Sequence, residues 1–176
     1  MRLPYLLSAT VLSLSFCLPA SATTFSFVTT LSNLGEPVPT STGSGSASVA
    51  FNDALFTVSV NETFANLVNP ATAAHIHCCT AVALTGNAGV ALGLAGFPST
   101  QSGNYINSFT LLPAAFNSLL AGTQAGKAYL NIHSAVPYTG GEIRGFLVPV
   151  PEPGTYALML GGLGLLGMAA KRRKQA

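Results

Sequence analysis

The chain has 176 residues, a single-domain length, with seven Lys and Arg against five Asp and Glu and a formal net charge of +2. Five of the seven cations, Arg2, Lys171, Arg172, Arg173 and Lys174, lie at the two ends. Without the ends, Lys127 and Arg144 face Glu36, Asp53, Glu62 and Glu142, so the interior is mildly acidic. No basic patch remains, which excludes phosphate-backbone binding to nucleic acid.

The N-terminus, residues 1–22, reads as a secretory signal peptide. One basic residue, Arg2, precedes an apolar stretch that ends in Ala20-Ser21-Ala22. Small residues at these positions suit signal peptidase, with cleavage after Ala22. The apolar run is short for a membrane span and carries Pro4 and several serines. Cys17 follows Phe16, where a lipoprotein signal needs a small residue, so lipid attachment is rejected.

The interior, residues 23–149, is patterned as an all-β domain. Thr24–Leu31 places Phe25, Phe27 and Leu31 on one side of a first strand. Ala47, Val49 and Phe51, then Phe56, Val58 and Val60, recur at period two around Asn52-Asp53, predicting a hairpin with one wet face. Further strands are predicted at Ala73–Cys78, Val90–Leu94, Tyr105–Leu112, Ala128–His133 and Glu142–Val148, with loops at Gly35–Ser46 and Leu94–Gly103. Pro113 as a first helical residue, apolar Phe116, Leu119 and Leu120, and Gly122 as a stop predict one helix of two turns. Many short strands separated by turns favour a sandwich or small barrel.

The C-terminal tail, residues 150–176, has three parts: Pro151-Glu152-Pro153, an apolar run from Thr155 to Ala170, and Lys171-Arg172-Arg173-Lys174. As a helix the run covers about 24 Å, a little under the ~30 Å hydrocarbon core. The four cations would stay on the cytoplasmic side, leaving the domain outside. This order resembles the PEP-CTERM sorting signal of Gram-negative, biofilm-forming bacteria. The resemblance implies a transient inner-membrane intermediate, cleavage near the Pro-Glu-Pro by an exosortase-type protease, and release to the cell surface or beyond. A plain tail anchor is the alternative.

Three histidines occur, all in predicted strands. His75 and His77 are two residues apart, so both project from one sheet face about 6.6 Å apart along the strand. If the strand ending in His133 is a neighbour, three neutral imidazoles converge in a set suited to Cu or Zn with one position open. A strand histidine that only bonds a carbonyl or Glu142 is the structural alternative. Cys79 falls on the His75/His77 face if that strand continues, as a possible soft ligand. An oxidising compartment leaves Cys78-Cys79 as free thiols, an intermolecular bond or a vicinal disulfide, the last not favoured because a ring between adjacent residues needs an unusual peptide geometry. Glu142 and Arg144, two apart, suit an ion pair bracing the last hairpin, or place Glu142 as an acceptor that orients an imidazole.

The words around these residues are more specific than their spacing. Ala73-Ala74-His75-Ile76-His77, Tyr129-Leu130-Asn131-Ile132-His133-Ser134 and Gly140-Gly141-Glu142-Ile143-Arg144-Gly145 occur in that order. Together they resemble the CHRD domain, found repeated in chordin and singly in many microbial secreted proteins. The resemblance implies an immunoglobulin-like or sandwich fold outside the cell and brings no reaction with it. His75, His77, His133, Glu142 and Arg144 occupy its matched positions. The histidine pattern is also distantly similar to the copper face of superoxide dismutases, but this chain has no further histidines to complete that set.

Three functions fit: a non-enzymatic surface or matrix protein associated with exopolysaccharide, an extracellular metal-binding protein, and a metal-dependent oxidoreductase. The first is preferred, the metal-binding protein is the alternative, and the oxidoreductase comes last. There is no Gly-x-Ser-x-Gly elbow and no phosphate-binding glycine loop, and the interior has few carboxylates for acid–base catalysis.

Overall fold

A computed structural model of the chain describes residues 23–36, 38, 40–150 and 160–163. Ala22, the Pro151-Glu152-Pro153 motif and the 171–174 basic end lie outside these residues. Of the expected 155–170 span, only 160–163 are described, and they are helical. Among the described residues, no helix is long and apolar enough to cross a membrane.

Among the described residues of the interior domain, nine strands and one helix follow in chain order. They are β1 (Thr24–Ser32), β2 (Ser44–Asn52), β3 (Thr57–Ala65), β4 (Ala71–His77), β5 (Val90–Gly93), β6 (Gly103–Thr110), α1 (Pro113–Gln124), β7 (Tyr129–Ser134), β8 (Ile143–Phe146) and β9 (Val148–Pro149). The strands form one antiparallel sheet in the order β5-β4-β7-β8-β1-β2-β3-β6, with β9 also on β1, curled into a half-barrel. The fold is therefore all-β with one short helix, as the period-two patterning predicts.

The predicted hairpin is β2–β3, paired from Ser44↔Ala65 to Asn52↔Thr57. Its turn is built by Asn52, whose Oδ1 accepts from the Ala54 and Leu55 amides at 3.1 and 3.0 Å, with Phe56 taking the left-handed conformation. Alternate residues Phe27, Leu31, Val49, Phe51, Val58, Val60 and Phe64 face the core. Phe116 of α1 meets the rings of Phe51 and Phe56 edge to face at 5.7 and 5.6 Å. The two sheet edges are joined by the segment after β5. There the Thr100 carbonyl accepts from the Ala71 amide at 2.9 Å, and the Ala95 carbonyl accepts from the Tyr105 hydroxyl at 2.7 Å.

The helix differs from its prediction. It runs three turns to Gln124, and Gly122 is buried within it rather than ending it. The left-handed residue that stops the helix is Gly126, at φ +69°. Gly122 is there for space, since a Cβ on it would meet the sulfurs of Cys78 and Cys79.

Candidate metal centre

The site rests on the pairing of β4 with β7. Ala73 lies opposite His133, His75 opposite Asn131, and His77 opposite Tyr129. Ala74, Ile76, Leu130 and Ile132 are buried in the core. Alternation therefore sends His75, His77, Tyr129, Asn131 and His133 to the other face. A slip of one residue would turn the imidazoles into the core, so the apolar residues fix the register that gathers the histidines. β8 extends the rows, placing Arg144 opposite Asn131 and Phe146 opposite Tyr129.

The three rings cluster with centroids 4.9 Å apart for His75 and His133, 5.7 Å for His75 and His77, and 5.9 Å for His77 and His133. One nitrogen from each lies within 4.8 Å of the others. Two rings are oriented from behind by main-chain carbonyls. His77 Nδ1 meets the Ala88 carbonyl at 2.9 Å, and His133 Nδ1 meets the Thr139 carbonyl at 3.0 Å. A carbonyl only accepts, so in both neutral rings the proton sits on Nδ1 and the Nε2 lone pair is free. His77 also stacks on Tyr129 at 4.8 Å with the planes 2° apart.

Burial pushes the His75 pKa below its ordinary value, with smaller contributions from His133 and His77. Burial also pushes the His77 pKa down, assisted by His133 and Arg144 and opposed by the Ala88 hydrogen bond. Both effects favour neutral imidazole, the form that binds metal.

Arg144 holds the surrounding loops. Its guanidinium donates to the Asn87 side-chain oxygen at 2.6 Å and to the Gly35 carbonyl, and it lies 5.2 Å from the Tyr129 ring centre. Its ionic partner is Glu36, at 3.7 Å, not Glu142. Burial raises the Glu36 pKa to about 7 despite the opposing charge of Arg144.

Glu142 precedes β8, so strand alternation does not extend from Arg144 back to it. It is buried and accepts from Ser41 Oγ and the Val68 amide, both at 2.6 Å, and from Ser134 Oγ. These bonds pin three segments together. Glu142 hydrogen-bonds neither an imidazole nor Arg144, which corrects both expected roles.

Cys79 is likewise not placed as a ligand. β4 ends at His77, and Cys79 is disulfide-bonded to Cys78 against Gly122 of α1, which corrects the expectation that local chemistry disfavours the vicinal pairing.

Sequence reasoning missed Asn131 and Glu36. Asn131 carried a signal, as a polar residue two positions from His133 inside an apolar strand. Glu36 carried none, because a loop brings it in. Among the described residues, seven buried side-chain polar atoms have no hydrogen-bond partner. Five are here: His75 Nδ1, His77 Nε2, His133 Nε2, Asn131 Oδ1 and Glu36 Oε1. Folded proteins leave few such atoms without a ligand, ion or water to satisfy them, and this concentration marks the face as a site. Three neutral nitrogen donors fit Zn or Cu and leave a coordination position open.

No curated protein and no solved structure matches the chain significantly. The model of the PEP-CTERM protein-sorting motif matches residues 149–174, marking the chain for export and exosortase-dependent sorting to the cell surface. The model of the CHRD domain matches residues 25–147, across every strand that builds the histidine face, and the chain belongs to the CHRD domain family.

Proposed function

We propose that this exported CHRD domain is a non-catalytic metal-binding module of the cell surface, holding one Zn or Cu ion on His75, His77 and His133. The observation that carries the reading is the set of buried imidazole nitrogens without partners, two of them on rings whose opposite nitrogen is bonded to main chain. Fixing the ring from behind is how proteins orient histidine ligands and hold the tautomer that binds. The non-catalytic part rests on the shortage of free acid–base groups: Glu142 is enclosed by hydrogen bonds and Glu36 faces Arg144.

Metal analysis of protein purified from the periplasm tests this. The wild type should carry about one Zn or Cu per chain, and the His75→Ala/His77→Ala variant should carry almost none. Equal, negligible metal in both overturns the reading.

A second observation favours a place in exopolysaccharide. The outer face of β1, β2 and β3 exposes Ser26, Thr30, Ser46, Ser48, Asn61 and Thr63, and the only charged residue in these strands, Glu62, points inward. Such a neutral, hydroxyl-rich face suits a hydrated polyol matrix. In this reading the chain passes through the inner membrane on its 155–170 span and is cut near Pro151-Glu152-Pro153. Fractionation should find the mature form at the surface or in the matrix. Full-length protein retained in the inner membrane, or maturation unchanged when Lys171, Arg172, Arg173 and Lys174 are removed, counts against it.

A further inference from the structure

Asn131 stands at the centre of the histidine face. His75 lies opposite it on β4 and Arg144 opposite it on β8, while Tyr129 and His133 flank it along β7. It is 2 % exposed, and its Oδ1 is buried without a hydrogen-bond partner. Its Nδ2 lies against Gly141, beside Glu36 Oε2: a Cβ on Gly141 would come within 2.6 Å of that nitrogen. Gly141 belongs to the β7–β8 connection, so the opposite end of the carboxamide, Oδ1, is turned away from Gly141.

A carboxamide oxygen only accepts, and no donor among the described residues lies within hydrogen-bond distance of this one. Arg144 gives its hydrogen bonds to Gly35, Gly86 and Asn87 and its charge to Glu36. His77 and His133 spend their N–H groups on the Ala88 and Thr139 carbonyls. A donor from outside the chain would satisfy this oxygen. A three-imidazole ion has an open position that takes water, and a metal polarises that water into a strong donor.

We infer that Asn131 is the positioning residue of the metal site, its Oδ1 accepting a hydrogen bond from a water that completes the coordination sphere beside His75, His77 and His133. This rests on the metal reading proposed above. It adds a fourth protein group and makes the site one for an ion that keeps a water or exchanges it for a small oxygen ligand.

Co²⁺ titrated into the exported, metal-stripped protein tests it, with visible absorption reporting coordination and chelator competition reporting affinity. Asn131→Ala should bind Co²⁺ roughly 10- to 100-fold more weakly, with an altered absorption band, as loss of a group behind a metal-bound ligand does. Asn131→Asp keeps an acceptor where the oxygen was and should leave the absorption band closer to that of wild type than Asn131→Ala does, a difference that a purely structural asparagine would not produce. Asn131→Ser serves in place of the alanine variant if circular dichroism shows that variant unfolded. Equal affinity and an identical spectrum in wild type and variants overturn the role of Asn131 and leave the three-histidine ion standing. A wild type that binds no Co²⁺ overturns the metal reading itself, and this inference with it.

Discussion

Gly122 lies directly against Cys79: a Cβ built on the glycine would occupy the space of the Cys79 and Cys78 sulfurs. Two effects of Gly122→Ala oppose each other. Alanine gains about 1 kcal/mol over glycine within a helix, whereas overpacking a filled site costs roughly 1–3 kcal/mol. The sulfurs are bonded to each other and cannot swing aside separately. Overpacking should win, and denaturant unfolding should show Gly122→Ala less stable than wild type by about 1 kcal/mol. Gly126→Ala provides the contrast. Its Cβ would meet Ala83 and Leu84 at an ordinary 3.5 Å, so its loss, on the order of 1–2 kcal/mol, comes from the left-handed backbone alone. A Gly122→Ala protein as stable as wild type would show that α1 moves freely off the disulfide.

Glu62 faces the core from β3, opposite Ala47 and Tyr105, and neither carboxylate oxygen has a partner. Burial alone raises its pKa from 4.5 to about 8. The folded state thus holds the proton more tightly than the unfolded chain does. The stabilisation is full below pH 4.5 and is lost as the pH rises from there to about 8. Glu36 acts in the same direction between 4.5 and about 7. His75 and His77, held below 6.5, act in the opposite direction under that pH, so the comparison is made above it: metal-free protein should be less stable to urea at pH 8 than at pH 6.5, by on the order of 1–2 kcal/mol. Glu62→Gln, which cannot ionise, should flatten much of that slope. An unchanged slope would show Glu62 reaching water or a partner when charged.

How much of this site could be read from the sequence depends on how far each relationship reaches along the chain. That His75 and His77 share a face is a property of a single strand and follows from period two. That His133 joins them depends on β4 pairing with β7, a contact between distant segments that spacing leaves conditional. Gly122 and Gly126 show the limit of local signals. Both follow the apolar stripe of α1, but one is required by packing and the other by φ, and only the fold tells them apart. Glu142 and Arg144 fail for the same reason. Their spacing is a strand spacing, but β8 begins between them, and each finds its partner in a segment about a hundred residues earlier in the chain.

Arg144 joins the segment at Gly35–Glu36 and the loop at Gly86–Asn87 to the histidine face through its planar fork. Lysine keeps the charge but cannot reach three directions at once. In hydrogen exchange, Arg144→Lys should lose protection around residues 33–36 and 84–89, while the β2–β3 hairpin stays protected. Global stability should fall by roughly 1–3 kcal/mol, the usual scale for hydrogen bonds to a charged group. Loss of protection across the whole sheet would mean that Arg144 holds the fold together rather than the rim of the site.

Metal binding to the three histidines should also appear as stability. An ion held only by the folded chain stabilises it in proportion to the logarithm of its concentration over Kd, about 2.7 kcal/mol at a hundredfold excess. The unfolded chain separates His133 from His75 and His77 by more than fifty residues, so it offers no comparable site. Zn²⁺ should therefore raise the thermal midpoint of the metal-stripped wild type, and a chelator should reverse the rise. The His75→Ala/His77→Ala variant should show neither effect. Since burial holds His75 and His77 below their ordinary pKa of 6.5, both remain neutral near pH 7, and the Zn²⁺-induced rise should shrink as acid protonates them. A rise equal in wild type and variant would place the ion elsewhere on the surface and leave the five buried atoms of this face that lack hydrogen bonds to ordered water.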